Sequence, residues 1–140
     1  MYWLSVERYD NWLTDKAAGF KFLGIFDRKL KTAQQMKAGD YLISYISSGK
    51  SSFADIRKII SDHPSKFKKG LIYDEPFPYV ILTEPYIILD ESDWIKIHDV
   101  LDKLTFLPIE KDWRQMMRNS LRKLNDDDAL FLINLIKSVS

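Results

Sequence analysis

The sequence predicts an α+β domain built on a mixed, mostly antiparallel sheet of five or six strands that curls into a small barrel. Three observations carry this. Short runs of β-branched and aromatic residues recur from Tyr2 to Leu89, too short for membrane spans and well spaced by turn residues. Strand and helix patterns alternate at first, several strands then follow in succession, and helices close the chain. The 140 residues, 46% hydrophobic and 29% charged, are enough for one domain with a buried core. Strands of this number and length suit closure into a barrel.

The elements follow in order. "YWLSV" (Tyr2 to Val6) is an opening strand. "YDNWLTDKAA" (Tyr9 to Ala18) is a helix with Asp10 or Asn11 at its N-cap, and Gly19 ends it. "FKFLGIF" (Phe20 to Phe26) is a buried strand, and its internal Gly24 marks a bulge or the close approach of backbone or ligand. Asp27 to Met36 is a short helix or turn segment. In "KAGDYLISYI", Ala38-Gly39-Asp40 forms a turn and Leu42 to Ile46 a strand. Ser47 to Ser52 is a polar hairpin loop, and Phe53 to Ser61 reads as the next strand, although its period also fits a helix. Asp62 to Pro76 is the longest irregular segment. Pro78 to Leu89 is a long strand interrupted at Pro85, so its far half must bend or lie at an edge. Glu91 to Leu104, with Trp94, Ile97, Leu101 and Leu104 at helical spacing and Ser92 as cap, predicts an amphipathic helix. Lys111 to Leu124 begins as a loop and turns helical. Asn125 to Val139 is the clearest helix, with its acids at the positive end of the dipole.

Composition excludes several chemistries. The net charge of +1 removes bulk attraction to polyanions, so any nucleic-acid contact must come from a local patch. There is no cysteine, hence neither disulfide nor thiolate chemistry, which fits a cytoplasmic setting. No secretory or membrane-spanning segment is expected. His63 and His98 have no second His or Cys at ligand spacing, and Asp126, Asp127 and Asp128 are explained by a helix N-terminus. No metal or cofactor is therefore expected. Neither a phosphate-cradling glycine loop nor a nucleophile elbow occurs.

The order of motifs resembles the EVE domain family, a branch of the PUA-like superfamily that also contains the YTH and ASCH domains. The matching pieces span most of the chain: "YWL", "NW" at Asn11-Trp12, "FLGI" (Phe22 to Ile25), "KAGDYLISYI", "FADI" (Phe53 to Ile56), "FPYVILTEP" (Phe77 to Pro85) and "DWRQMMRNSLRKLNDDD". The resemblance implies a PUA-like β-pseudobarrel with peripheral helices. It also implies a non-catalytic module that holds a flipped or single-stranded base, often modified as 5-methylcytosine or N6-methyladenine are, in an aromatic pocket of DNA or RNA origin. Three departures stand out: Leu23 replaces a family Trp, Val80 a family Arg, and Ala38 a turn proline.

On this reading the ligand-binding residues are Asn11, Trp12, Leu23, Gly24, Tyr45, Phe53 and Arg118. Asn11 and the backbone around Gly24 read the base edge, and Arg118 holds phosphate. Trp12 either walls the pocket or locks its helix onto the barrel, Asn11 is alternatively a helix cap, and Tyr45 and Phe53 are alternatively core. Arg114, Arg118 and Arg122 share one face if their segment is helical, and Lys66, Lys68 and Lys69 form a basic loop. Two other readings stay open. One is a small amidohydrolase acting on modified nucleosides, for which Lys21, Thr83 and Glu84 are present but scattered. The other is a protein-interaction domain with a vestigial pocket, which the loss of the family Trp at Leu23 favours.

Overall fold

A computed structural model describes residues 1–47, 49–66, 77–107, 113–118 and 121–140, with Met116 described by its backbone alone. The strands are β1 (Tyr2–Glu7), β2 (Phe22–Ile25), β3 (Tyr41–Ile46), β4 (Ser52–Ile59), β5 (Ser65–Lys66), β6 (Tyr79–Ile88), β7 (Ile95–Lys96) and β8 (Leu121–Leu124). The helices are α1 (Tyr9–Ala17), α2 (Leu30–Ala33), α3 (Trp113–Met116) and α4 (Asp126–Val139). The sheet order is β2-β6-β4-β3-β1-β8, with β5 added beside β6 and β7 beside β4. Among the described residues, only β1 and β3 run parallel; every other pairing there is antiparallel. The expected curled α+β sheet is the architecture found, with six strands of four or more residues among the described residues.

Local chemistry explains most boundaries. α1 stops where Gly19 and Phe20 both adopt positive φ, 72° and 56°, which also delays β2 to Phe22. Its N-cap is Arg8, without a side-chain cap bond, so neither Asp10 nor Asn11 fills that role. Gly39, at φ 96°, makes the turn into β3. The Asp40 carboxylate that follows accepts from the Trp3 indole (3.0 Å) and the Lys37 amide (3.0 Å), tying the turn to β1. β6 divides as its proline requires. Tyr79–Leu82 pair with β2 and Thr83–Ile88 with β4, and the register slips by one residue beside Pro85.

Two helix predictions are overturned. Glu91–Leu104 is not an amphipathic helix. Its 3₁₀ turns at Glu91–Asp93, Ile97–Asp99 and Leu101–Lys103 flank β7, and Ser92 makes no cap bond. The predicted apolar residues are mostly buried, but so is Ile95 directly after Trp94, and consecutive buried residues do not fit a single helical stripe. Ile95 and Lys96 instead pair with Phe53 and Ser52 of β4. Likewise, the helix expected towards Leu124 is one turn at α3, after which β8 pairs with β1. Leu121 and Leu124 enter cores on opposite faces of the sheet, as alternation along a strand demands. Most of the irregular segment Asp62 to Pro76, including Lys68 and Lys69, lies outside the described residues.

The sheet buries both faces. One face packs under α1, α4 and the segment around β7, in a core that includes Leu4, Ile43, Ile56, Leu132 and Ile136. The other, the barrel interior, holds Trp3, Leu42, Ile59, Ile81, Leu23, Ile25 and Leu121, closed by Ala33 and Met36. α4 is anchored by a reciprocal cap: Asn125 Oδ1 accepts from the Asp128 amide at 2.8 Å, and Asp128 takes hydrogen bonds from Asn125, Thr105 and the Phe106 amide. Of the acids in the first turn of this helix, Asp128 is thus structural, and the capping residue is Asn125.

Candidate functional site

The barrel interior is apolar at one end and charged at the other. Alternation along β1 puts Trp3, Ser5 and Glu7 on one face; along β4 it groups Asp55, Arg57 and Ile59. Ser5 lies beside Ser44, and Ser44 beside Asp55, across three adjacent strands. α1 covers this end and contributes Asp15. At its centre is Arg57, 0% exposed. Its Nε and Nη2 donate to the two oxygens of Asp55, both at 3.2 Å. Nη1 donates to Asp15 Oδ2 at 2.9 Å, and Nη2 reaches Glu7 Oε2 at 3.4 Å. The guanidinium stacks over Phe20 at 4.9 Å, and the Trp12 indole donates to Asp55 Oδ2 at 2.8 Å. Burial works against the Arg57 charge, but the surrounding carboxylates outweigh it and raise its pKa. Glu7 moves the other way from a salt-bridged acid. Burial pushes its carboxyl well above the usual range, and Asp15 and Asp55 add to this against the pull of Arg57.

A cavity of about 400 Å³ opens beside this charged layer. It lies where the sheet does not close. β8 pairs with β1 only as far as Ser5, so Val6 and Glu7 have β3 alone as a strand neighbour among the described residues. β2, at the other end of the sheet order, supplies the facing wall with Leu23, Gly24 and Ile25. Phe26 and Phe77 continue that wall with ring centroids 4.3 Å apart, and Met117 and Leu121 close it from the β8 side. Asn11 and Glu7, each 8% exposed, supply polar groups. Arg8, Arg28, Lys29 and Arg118 also line it, Arg8 in an ion pair with Asp10 at 2.9 Å, and Glu7 is the one acid among the described lining residues. Burial, followed by the neighbouring Arg28 and Arg122, lowers the pKa of Lys29. The Arg28 guanidinium caps the Phe26 ring at 4.4 Å.

Of the residues expected at the site, the structure brings Asn11, Leu23, Gly24 and Arg118 together around this cavity. Gly24 sits in a regular ladder opposite Val80, so its place is one of close approach to the cavity rather than a bulge. Trp12, Tyr45 and Phe53 lie elsewhere. They are 1%, 2% and 0% exposed in the core on the other face of the sheet, where Trp12 packs edge-on against Trp94 at 5.0 Å and Tyr45 against Phe53 at 5.2 Å. The aromatic density at the start of the chain therefore serves packing, and the cavity's own rings are Phe26 and Phe77. The arginine stripe is broken: Arg114 rests on Trp113, Arg118 lines the cavity, and Arg122 is on β8 over Phe106. Lys21, Thr83 and Glu84 do not line the cavity, and the Thr83 hydroxyl is committed to the Phe20 carbonyl at 2.7 Å.

The Arg57 cluster, the Phe pair and three of the four rim cations were missed in the sequence. One signal was legible: "ADIR" places an acid and a base two residues apart inside an otherwise apolar strand, where each needs a buried partner.

No protein-family model matches the sequence, and no curated protein matches it. Solved structures do. A YTH domain from Zygosaccharomyces rouxii, solved in complex with N6-methyladenosine RNA, superposes with a TM-score of 0.68 at 10% identity, over 99% of this chain and 89% of that one. The DUF55 domain of human thymocyte nuclear protein 1 gives 0.62 at 15% identity, over 98% and 99%. A hypothetical protein from Leishmania major gives 0.68 at 14% identity, over 98% and 94%. The chain has the fold of the YTH and DUF55 domains. The curled α+β fold expected from the sequence is thereby the one found. Among the described residues, no helix is long and apolar enough to cross a membrane, and no group of His, Cys, Asp or Glu side chains is arranged to hold a metal ion.

Proposed function

We propose that this protein is an EVE-type member of the PUA-like superfamily and a non-catalytic nucleic-acid-binding module that takes one unstacked base into the cavity between β1 and β2. The observation that carries the reading is the cationic rim of Arg8, Arg28, Lys29 and Arg118 around a partly apolar cavity, in a chain whose net charge is only +1. Positive charge is concentrated where a strand's phosphates flank an inserted base. The volume falls within the range of small-molecule pockets, roughly 300–1,000 Å³, and accommodates a purine or pyrimidine. Leu23, Ile25, Phe26 and Phe77 offer flat apolar contact, while Asn11 and the Gly24 backbone offer hydrogen bonds to the base edge. A YTH domain of the same fold solved with N6-methyladenosine RNA supports the same class of ligand here. An open cavity also weighs against a vestigial pocket. A single strand, DNA or RNA, is the expected partner, since a paired base must first be extruded.

The test is a salt titration of binding to short single strands, read by fluorescence anisotropy. Each phosphate neutralised contributes a slope of about −0.7 in log K against log salt. Arg28→Glu and Arg118→Glu should each weaken binding several-fold and flatten the slope. Unchanged affinity in both would reject the rim as the phosphate path.

A further inference from the structure

At the cavity's inner end, three carboxylates face one guanidinium. Asp55 and Asp15 are fully buried and hold Arg57 at 2.9–3.2 Å. Glu7 is held more loosely, at 3.4 Å, and of the three it alone lines the cavity. Among the described residues, Arg57 is the one cation in ion-pair contact with these three carboxylates, and one buried positive charge does not balance three negative ones. Glu7, 8% exposed, shares Arg57 with Asp15 and Asp55, and burial together with these two carboxylates raises its pKa against the pull of Arg57. The Glu7 backbone is fixed as well: its carbonyl accepts from the Ser47 amide at 2.8 Å and the Ser47 hydroxyl at 3.1 Å.

We propose that Glu7 is the specificity-determining residue of the cavity, meeting the bound base as a neutral carboxyl and selecting bases that set a basic ring nitrogen beside an exocyclic amino group. This rests on the base-binding reading above. A neutral carboxyl has one O–H to give and one carbonyl to receive. A ring nitrogen accepts the O–H while the adjacent amino group donates to the carbonyl, so both partners are satisfied at once. Asp15, Asp55 and Arg57 together leave one negative charge behind Glu7, which keeps the proton on Glu7, so that it meets the base edge as a hydrogen-bond donor. Bases with a ring N–H and flanking carbonyl oxygens offer no basic nitrogen and gain less. An ionised Glu7 would instead confront the ring nitrogen's lone pair, and the unpaired acceptors would count against binding.

Affinity for such bases therefore falls as pH rises and Glu7 loses its proton. The groups facing Glu7 are Arg57 and Asp55 from β4, Asp15 and Asn11 from α1, Arg8 before α1, Arg28 and Lys29 after β2, and Arg118. The arginines hold their charge throughout. Lys29, its pKa lowered, also loses charge as pH rises, but that weakens phosphate contact whatever base is bound.

The experiment measures binding of the whole protein, from pH 5 to pH 9, to short uridine or thymidine strands carrying one central cytidine or adenosine. Matching strands carry 3-deazacytidine or 1-deazaadenosine, which lack the ring nitrogen. Wild-type protein should prefer each parent over its deaza analogue by about tenfold at low pH, the worth of one hydrogen bond to a buried group. That preference should shrink as pH rises. Glu7→Gln, whose amide also gives one hydrogen bond and receives another but does not ionise, should flatten the pH dependence of the preference. Equal binding of parent and analogue at every pH would overturn the role of Glu7 while leaving base binding standing. So would a pH effect shared equally by parent and analogue and kept in Glu7→Gln, which is the signature of Lys29. No binding by any strand would overturn both. The deaza comparison uses only wild-type protein, so the proposal stays testable even if Glu7→Gln does not fold.

Discussion

Replacing Arg57 by methionine tests the charged layer most severely. Methionine keeps most of the length and volume, so the main change is the removal of a buried charge. Three carboxylates at 2.9, 3.2 and 3.4 Å then lose their common partner in a site where Arg57 itself is 0% exposed. Breaking a buried ion pair by removing one member costs about 3–5 kcal/mol. At this chain length, 1 kcal/mol moves the melting temperature by roughly 3–4 °C, so a fall of about 10–20 °C is expected at neutral pH. The pH dependence gives the sharper signature. Arg57 is what lowers the Glu7 pKa against burial, so without it that pKa rises further and the folded state binds more protons than the unfolded one. Stability of the variant then decreases as pH rises, and its deficit narrows as pH falls towards the ordinary carboxylate range. Adding Asp15→Asn and Asp55→Asn should recover part of the loss, because the orphaned charges are gone. Thermal unfolding followed by circular dichroism between pH 4.5 and 8 measures all of this. A loss under about 3 °C at neutral pH, or a deficit that does not narrow in acid, would refute the account of the cluster.

Other outcomes follow from single contacts. Asp128→Ala removes the acceptor of four donors from Thr105, Phe106 and Asn125 and should cost about 3 kcal/mol in chemical denaturation. Burial disfavours the Asp128 charge, but those donors outweigh it and lower its pKa below the ordinary 3.8. Its stabilisation is therefore full above the unfolded value and is lost as pH falls through the folded one, a loss the variant should lack. Trp12→Phe deletes the hydrogen bond to Asp55 and should cost about 1–3 kcal/mol in chemical denaturation. Glu7→Gln should change stability in the opposite pH sense to Asp128→Ala. Wild type loses stability as pH rises from the unfolded carboxyl value to the raised folded one, and the amide does not.

How much of this was legible depends on whether the signal was local. Gly19, Gly39 and Pro85 each impose a backbone constraint that needs no distant partner, and the elements around them came out close to where the sequence put them. Asn11, Leu23 and Gly24 were reached through the order of motifs and Arg118 through the spacing of three arginines, and the four share one cavity. Glu91–Leu104 failed because its apolar spacing fits a helix in isolation, whereas the open edge of β4 offers Ile95 and Lys96 a strand partner. Leu121–Leu124 failed for the same reason at the edge of β1. Trp12 and Tyr45 show a different limit: aromatic density does not say which face of a sheet an aromatic residue enters. The pairing of Arg57 with Glu7 spans fifty residues of sequence and exists only once β1 and β4 are placed in one sheet.

The central claim is that one base enters the cavity while the flanking phosphates lie on the cationic rim. Its most direct test compares a short single strand with the same strand carrying one abasic position at its centre, across a salt series. The account predicts parallel salt slopes, because the phosphates are unchanged, and at least about tenfold weaker binding of the abasic strand, from the lost stacking and edge contacts. Equal affinity for the two strands, or no binding of either at low salt, would contradict it.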